Sequence, residues 1–139
     1  MTMHANGPFD VKLRPLEQYN RNDGASLGRM SIDKEFHGDL EATSKGEMLT
    51  AMGTVQGSAG YVAIERVTGT LNGRSGSFAL QHSSTMARGK PSQNIVVVPD
   101  SGTGDLAGLG GSMTIVIADH DGQRKHFYKF EYFLTATAT

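Results

Sequence analysis

The dipeptide Asn72-Gly73 constrains the fold of this chain more than any other short feature. It separates two runs of alternating side chains, and Asn-Gly strongly favours the two-residue type I′ turn of a β-hairpin. That turn places Leu71 opposite Arg74 and, further along the strands, Val67 opposite Phe78. The dipeptide therefore predicts two antiparallel strands in a fixed register.

One face of this predicted hairpin carries the larger apolar side chains, and we expect it to point inward. Side chains alternate between the two faces of a strand, and a register shift of one residue would exchange the faces. The assignment therefore depends on the turn. The inward set is Tyr61, Ala63, Glu65, Val67, Phe78, Leu80 and His82.

A second hairpin follows from Asp121-Gly122 by the same argument. It places Ile117 opposite His126 and Ile115 opposite Tyr128. One face of this hairpin carries alternating charged residues and is expected to face solvent, so the other face is expected to point inward. Its inward side chains are then those of His126, Tyr128, Phe130 and Tyr132.

The rest of the chain consists of short β-favouring runs separated by turn signals, with no long stretch of helical spacing. Glycine accounts for 18 of the 139 residues, which is typical of a chain with many turns. The pattern predicts a single all-β domain over residues 1–139, a closed antiparallel barrel of about eight strands. Residues 1–7 and 135–139 are expected to be flexible ends and 16–24 a loop. The runs are 9–13, 30–36, 48–52, 61–71, 75–85, 95–98, 113–118 and 123–134.

The charge pattern argues against several classes of partner. The net charge is -1 and the basic residues are scattered, whereas nucleic-acid binders carry a basic balance or a clustered basic stripe. No apolar run approaches the roughly 20 residues of a membrane helix, and residues 1–7 lack the pattern of a secretory signal. We expect a cytoplasmic protein that binds neither nucleic acid nor membrane.

Metal and thiol chemistry are disfavoured by composition. The chain has no cysteine, which excludes disulfides, thiolate metal sites and a cysteine nucleophile. Its five histidines form no tight ligand cluster in sequence; His37 and Asp39, for example, flank a predicted turn at Gly38. Zinc sites need several converging ligands, so we expect no metal and no cofactor.

The candidate catalytic residues are Glu65 and His82. In the predicted register they are diagonal neighbours on adjacent strands, close enough to interact. A carboxylate inside a barrel is costly unless it is paired or protonated. Such a pair can act as general acid and base. There are two alternatives. The two side chains could form a buried ion pair or hydrogen bond with no catalytic role, or this face of the hairpin could be exposed to solvent.

Several other inward side chains could line a pocket for a small molecule. Tyrosine suits a pocket wall because it offers an apolar ring and a polar tip. The alternative is an ordinary aromatic core with one hydrogen-bonded histidine. The candidate ligand-binding residues are Tyr61, Phe78, Leu80, His126, Tyr128 and Tyr132.

The glycine-rich segment from Gly102 to Gly108 has the composition of a phosphate-binding loop but not its spacing. The dinucleotide fingerprint places its third glycine three residues after the second, at the start of a helix. Here the interval from Gly104 to Gly108 is four residues, and the segment leads toward another strand. We interpret it as a connector between strands.

Four segments of the chain resemble the uncharacterised bacterial proteins of the DUF3224 family, in order, within a resemblance that runs from about Met3 to Phe133. The last segment also resembles the Gly-Thr-Gly turn of the allene oxide cyclase and dirigent barrels. The segments are Phe36-His37-Gly38-Asp39-Leu40, Glu65-Arg66-Val67-Thr68-Gly69-Thr70-Leu71-Asn72-Gly73-Arg74-Ser75-Gly76-Ser77-Phe78, Gln81-His82-Ser83 and Ser101-Gly102-Thr103-Gly104-Asp105-Leu106-Ala107-Gly108-Leu109.

This resemblance implies an eight-stranded, allene-oxide-cyclase-like barrel with an interior pocket, and it implies no established activity. The cyclases that the fold resembles guide an apolar substrate through ring closure in a barrel cavity. A shared fold does not fix a function. Related barrels are often trimeric.

Three functions remain open at this point. The barrel could bind a small, largely apolar molecule in its interior without chemistry. It could be an isomerase or cyclase that uses Glu65 and His82. It could also be an oligomeric scaffold with a filled interior. We expect a homo-oligomer, because the outer face of the first hairpin carries Val62, Ile64 and Ala79.

Overall fold

The computed structural model describes residues 1–19 and 26–135 and confirms a closed antiparallel barrel of eight strands. Each strand pairs with its neighbours in the chain, and the last strand closes onto the first. A short 3-10 turn, Gly104–Leu106, lies between the sixth and seventh strands. No helix in these residues is long and apolar enough to cross a membrane. The strands are β1 (Met3–Leu16), β2 (Ser26–Phe36), β3 (Leu40–Met52), β4 (Ala59–Leu71), β5 (Arg74–Ala87), β6 (Lys90–Val97), β7 (Leu109–His120) and β8 (Gln123–Leu134).

Both predicted hairpins are confirmed, in the predicted register. Asn72 and Gly73 have φ angles of 45° and 87°, the positive values that a type I′ turn needs. Asp121 and Gly122 have φ angles of 52° and 76°. Val67 consequently lies opposite Phe78, and Ile117 opposite His126.

The predicted flexible end over residues 1–7 is corrected for Met3 to Gly7. These residues form the first part of β1 and pair with β8, with Met3 opposite Tyr132 and Ala5 opposite Phe130. Their pairing closes the barrel, and the nearly fully buried side chain of Ala5 packs in the core. Residues 20–24 of the predicted loop and 136–139 of the predicted tail lie outside the described residues.

One half of the barrel, which we call the closed half, is filled by side chains. The connector from β6 to β7 crosses its end and buries Leu106. Thr103 anchors this connector, because its amide donates to the carbonyl oxygen of Ser77 at 2.8 Å. Tightly packed residues of this half include Phe9, Phe36, Leu40, Val67, Leu71, Phe78, Leu80, Leu109, Tyr128, Phe130 and Tyr132, each at most 5% exposed.

The other half, which we call the open half, contains the β5–β6 and β7–β8 turns and is less completely paired. Pairing between β1 and β8 stops at Phe9 and His126, although β1 continues to Leu16. Within the described residues, β6 and β7 share one aligned pair, Val96 with Ser112. Beyond it, the side-chain oxygen of Gln93 accepts the Ile115 amide at 2.9 Å. The barrel wall therefore loosens toward this end.

Candidate functional site

A buried carboxylate lies on the inner face of β4, where the closed half meets the open half. Glu65 has no exposed surface, and each of its oxygens accepts a hydrogen bond. Lys34 Nζ lies 2.7 Å and His82 Nε2 2.6 Å from Oε2. Ser44 Oγ donates to Oε1 at 2.8 Å. We call Lys34, Ser44, Glu65 and His82 the buried polar cluster.

The strand registers explain why these four side chains meet. Lys34 of β2 lies opposite Ser44 of β3, so both point inward. Two residues further along β3, Gly46 lies opposite Glu65 of β4. A Cβ atom at Gly46 would come within 2.8 Å of the Glu65 Cβ. It would also come within 2.6 Å of the Glu65 Cα and clash with the Ile64 carbonyl oxygen, so glycine at this position lets β3 approach the backbone of β4 closely.

Glu65 is ionised over the ordinary pH range. Burial on its own raises the pKa of this carboxyl, but the His82 hydrogen bond and the charge of Lys34 outweigh it. The net effect lowers the pKa of Glu65 from 4.5 to about 2. The Lys34 ammonium also lies 5.2 Å from the ring centre of Phe9 and 5.7 Å from that of Phe36. Those aromatic faces stabilise its positive charge.

The ionised carboxylate fixes the proton on His82. A carboxylate only accepts hydrogen bonds, so Nε2 of His82 must carry the hydrogen that it shares with Glu65. In the neutral imidazole, Nδ1 then holds a lone pair. Nδ1 makes no hydrogen bond to any residue that the structure describes. The Tyr61 ring lies on the side of His82 away from Glu65 in register, with ring centres 6.4 Å apart.

The inner face of the open half carries accessible apolar side chains. Ile117 of β7 is 53% exposed and Leu13 of β1 is 44% exposed. Both point inward, because their partners His126 and Ile32 share a face with the core. Four of the seven methionines lie on the same inner face, on β2, β3 and β5. They are Met30, Met48, Met52 and Met86.

An open cleft of about 1100 Å³ lies at the rim of this half, where β2, β3, β4 and β5 end. Tyr61, Thr50 and Ser84 of the inner face line it. Leu27, Leu49 and Val62 of the outer face line it as well. The cleft therefore spans the rim rather than filling the barrel interior, and it does not reach the buried polar cluster.

The structure places the predicted ligand-site residues in two different parts of the barrel. Tyr61 and His126 are half-buried in the open half. Tyr128 is packed in the closed half, where its hydroxyl accepts the Leu40 amide and donates to the His37 carbonyl, both at 2.8 Å. Burial, above all, raises the pKa of Tyr128 to about 12. The other predicted residues of the closed half are Phe78, Leu80 and Tyr132.

The predicted contact between Glu65 and His82 is confirmed, but two members of the cluster were missed. Lys34 occupies an inward position between Ile32 and Phe36 on β2. A lysine in the apolar register of a strand is the signal that could have identified it, because buried lysines need a partner. Ser44 gives no comparable signal, since serine occurs on either face of a strand.

An exposed cluster lies outside the barrel. Ligand-type atoms of Asp10, Glu35 and His37 lie within 4.8 Å of one another. His37 also lies between two carboxylates, 3.6 Å from that of Asp10 and 3.5 Å from that of Glu41. Exposed acidic groups often lie together without a bound ion, and the expectation of no metal stays a prediction.

Comparison with known proteins places the chain in a family. A family model described as "Protein of unknown function (DUF3224)" matches residues 5–132. The chain belongs to the DUF3224 family. A solved structure of a DUF3224 protein of unknown function from Shewanella oneidensis MR-1 is similar, with 49% identity and a TM-score of 0.91. The match covers 99% of this chain and 100% of the other. No functionally curated protein matches this DUF3224 chain.

Proposed function

We propose that this DUF3224 protein binds a small, largely apolar molecule in the open half of its barrel. The observation that carries the proposal is the contrast between the two halves. Most inward apolar side chains of the closed half are at most 5% exposed, with Met3, Ala42 and Leu134 partly buried at its edge, whereas Ile117 and Leu13 are 53% and 44% exposed. Ligand pockets are concave and mostly apolar, with a few polar groups that fix orientation.

The methionines support an adaptable pocket. Methionine is unbranched and polarizable, so it fits irregular apolar surfaces and is common where a site accepts several shapes. Met30 and Met48 lie directly opposite each other on β2 and β3. Met52 and Met86 extend the same surface to the rim. We therefore expect the pocket to tolerate apolar ligands of differing outline.

We place the buried polar cluster at the inner end of the proposed site, below the rim cleft, which does not reach it. A carboxylate with a pKa of about 2 that accepts three hydrogen bonds is a weak base. Glu65 is therefore better suited to orient His82 than to exchange protons with a substrate. This favours binding over the isomerase or cyclase alternative, in which Glu65 and His82 would both transfer protons to or from the substrate.

The test compares two exposed isoleucines with similar exposed fractions on opposite faces of the barrel wall. Ile117 points inward and is 53% exposed, and Ile64 points outward and is 57% exposed. Binding of N-phenyl-1-naphthylamine, followed by its fluorescence, should weaken roughly tenfold or more in Ile117→Lys, because a charge then enters an apolar site. Ile64→Lys should bind as the wild type does. Equal effects, or a wild type that does not bind, would contradict the proposal.

A further inference from the structure

We infer that the ligand carries a hydroxyl group that donates to Nδ1 of His82 and accepts from Oγ of Ser84. This inference rests on the proposed function, and it names the chemical class of the ligand: an apolar alcohol or phenol. Two neighbouring polar atoms on the inner face of β5 lead to it.

The first atom is the Ser84 hydroxyl oxygen. It is buried, and it has no hydrogen-bond partner among the residues that the structure describes. A buried hydroxyl without a partner costs free energy, so such groups in native proteins call for an explanation. Ser84 lies opposite Tyr61 on β4 and opposite Gln93 on β6, on the inner face of the open half. Its hydroxyl therefore lies beside the proposed pocket.

The second atom is Nδ1 of His82, the next inward residue along β5. Glu65 accepts the hydrogen on Nε2, so in the tautomer with a single ring hydrogen Nδ1 is an acceptor. Successive inward residues of a strand are about 7 Å apart at their Cα atoms. Side chains at that spacing can both reach one oxygen atom placed between them.

The two atoms select a hydroxyl group because of their donor and acceptor roles. The His82 lone pair needs a donor, and the Ser84 hydroxyl can donate to an acceptor. A ligand hydroxyl supplies both roles on a single oxygen. A ketone, ether or carboxylate oxygen only accepts. The Tyr61 ring, beside both residues, supplies an apolar wall for the hydrocarbon part of the ligand.

The test uses two probes that differ in one hydrogen-bond donor. 2-Naphthol carries the hydroxyl, whereas 2-methoxynaphthalene keeps the ring and the oxygen but cannot donate. We expect the wild type to bind 2-naphthol at least roughly tenfold more tightly, because a site built for a hydroxyl rejects an analogue that leaves its polar groups unpaired. Ser84→Ala should reduce this preference several-fold. Ser83→Ala, on the exposed outer face of the same strand, should keep it.

The outcomes separate the two levels of the proposal. Equal affinity of the wild type for both probes would overturn the hydroxyl inference and leave an apolar pocket. The same holds if Ser84→Ala keeps the full preference, as it would if a water molecule met these atoms in every complex. Failure of both probes to bind would contradict the proposed function itself, and the hydroxyl inference with it.

Discussion

Nε2 of His82 lies 2.6 Å from Oε2 of Glu65 inside the barrel, and neither residue is more than 3% exposed. This contact joins β5 to β4 at the level where side-chain packing ends and the accessible inner face begins. Lys34 donates to the same carboxylate oxygen from β2. The three side chains thus link β2, β4 and β5 through one carboxylate oxygen. The stability of the barrel should therefore depend on their charges.

Removing the negative charge of Glu65 should strongly destabilise the protein. Glu65→Gln leaves the Lys34 ammonium buried without its counter-ion, and breaking a buried pair in this way costs about 3–5 kcal/mol. Urea unfolding monitored by circular dichroism measures the change in the free energy of unfolding. A loss below about 1 kcal/mol would mean that solvent reaches Lys34 and that the pair is not buried in solution.

The matched control removes both charges. Lys34→Met combined with Glu65→Gln leaves no uncompensated charge inside the barrel, and replacing a buried pair by neutral groups is often close to neutral for stability. We expect the double variant to recover most of the stability that Glu65→Gln loses. Failure to recover would show that packing of the two side chains, rather than their charge, determines the loss.

Acid should weaken the fold through Glu65 in a defined pH range. Its pKa is lowered from 4.5 to about 2 on folding, so the unfolded chain binds this proton more tightly. The resulting stabilisation is complete above pH 4.5 and disappears as the pH falls toward 2, an effect on the order of 3 kcal/mol. Unfolding curves across this range should show a steeper loss for the wild type than for the Lys34→Met and Glu65→Gln double variant. Parallel losses would contradict the assignment.

Tyr128 should contribute to stability and not to binding. Tyr128→Phe removes the hydroxyl that accepts the Leu40 amide and donates to the His37 carbonyl. A buried amide left without a partner costs about 1–3 kcal/mol. Tyr61 is half-buried in the open half, so Tyr61→Phe should lower the free energy of unfolding much less. A Tyr128→Phe variant that kept its stability but lost affinity for N-phenyl-1-naphthylamine would place Tyr128 in the pocket instead.

Much of the fold could be predicted from two dipeptides. Asn72-Gly73 and Asp121-Gly122 restrict the backbone to one turn geometry, which fixes every pair along two hairpins. The proximity of Glu65 and His82 follows from that register alone. The third turn of the same kind, Arg88-Gly89, was missed because arginine rarely adopts the positive φ of 50° that it has here. The start of β6 at Lys90 was missed with it.

The division of the barrel into two halves could not be predicted, because it depends on where non-local pairing stops. Nothing in the residues around His126 indicates that β8 parts from β1 there. Tyr128 and Tyr61 are both inward tyrosines, and only the pairing of complete strands separates a core residue from a pocket residue. The pairing of Lys34 with Glu65 depends on the registers of β2 with β3 and of β3 with β4, for which the sequence offers no Asn-Gly or Asp-Gly turn.

The outer face should mediate self-association, as the sequence predicted. Leu49, Val62 and Ile64 lie on adjacent strands and are each at least 50% exposed, and an exposed apolar patch of this kind often marks an interface. Sedimentation equilibrium should show an oligomer for the wild type and a shift toward monomer for Val62→Lys. Thr68→Lys, on the same face of β4, serves as the control. A wild type that stays monomeric at high concentration would contradict the prediction.

The most direct test of binding in the open half is methyl NMR of protein labelled at its methionine methyl groups, titrated with 2-naphthol. The seven methionines report on separate places, since Met30, Met48, Met52 and Met86 line the open half and Met113 is buried in the packed core. We predict saturable shifts of the four open-half methyl signals, while those of Met1 and Met113 stay in place. Saturable binding that leaves these four signals unmoved, or no binding at all, would contradict the account.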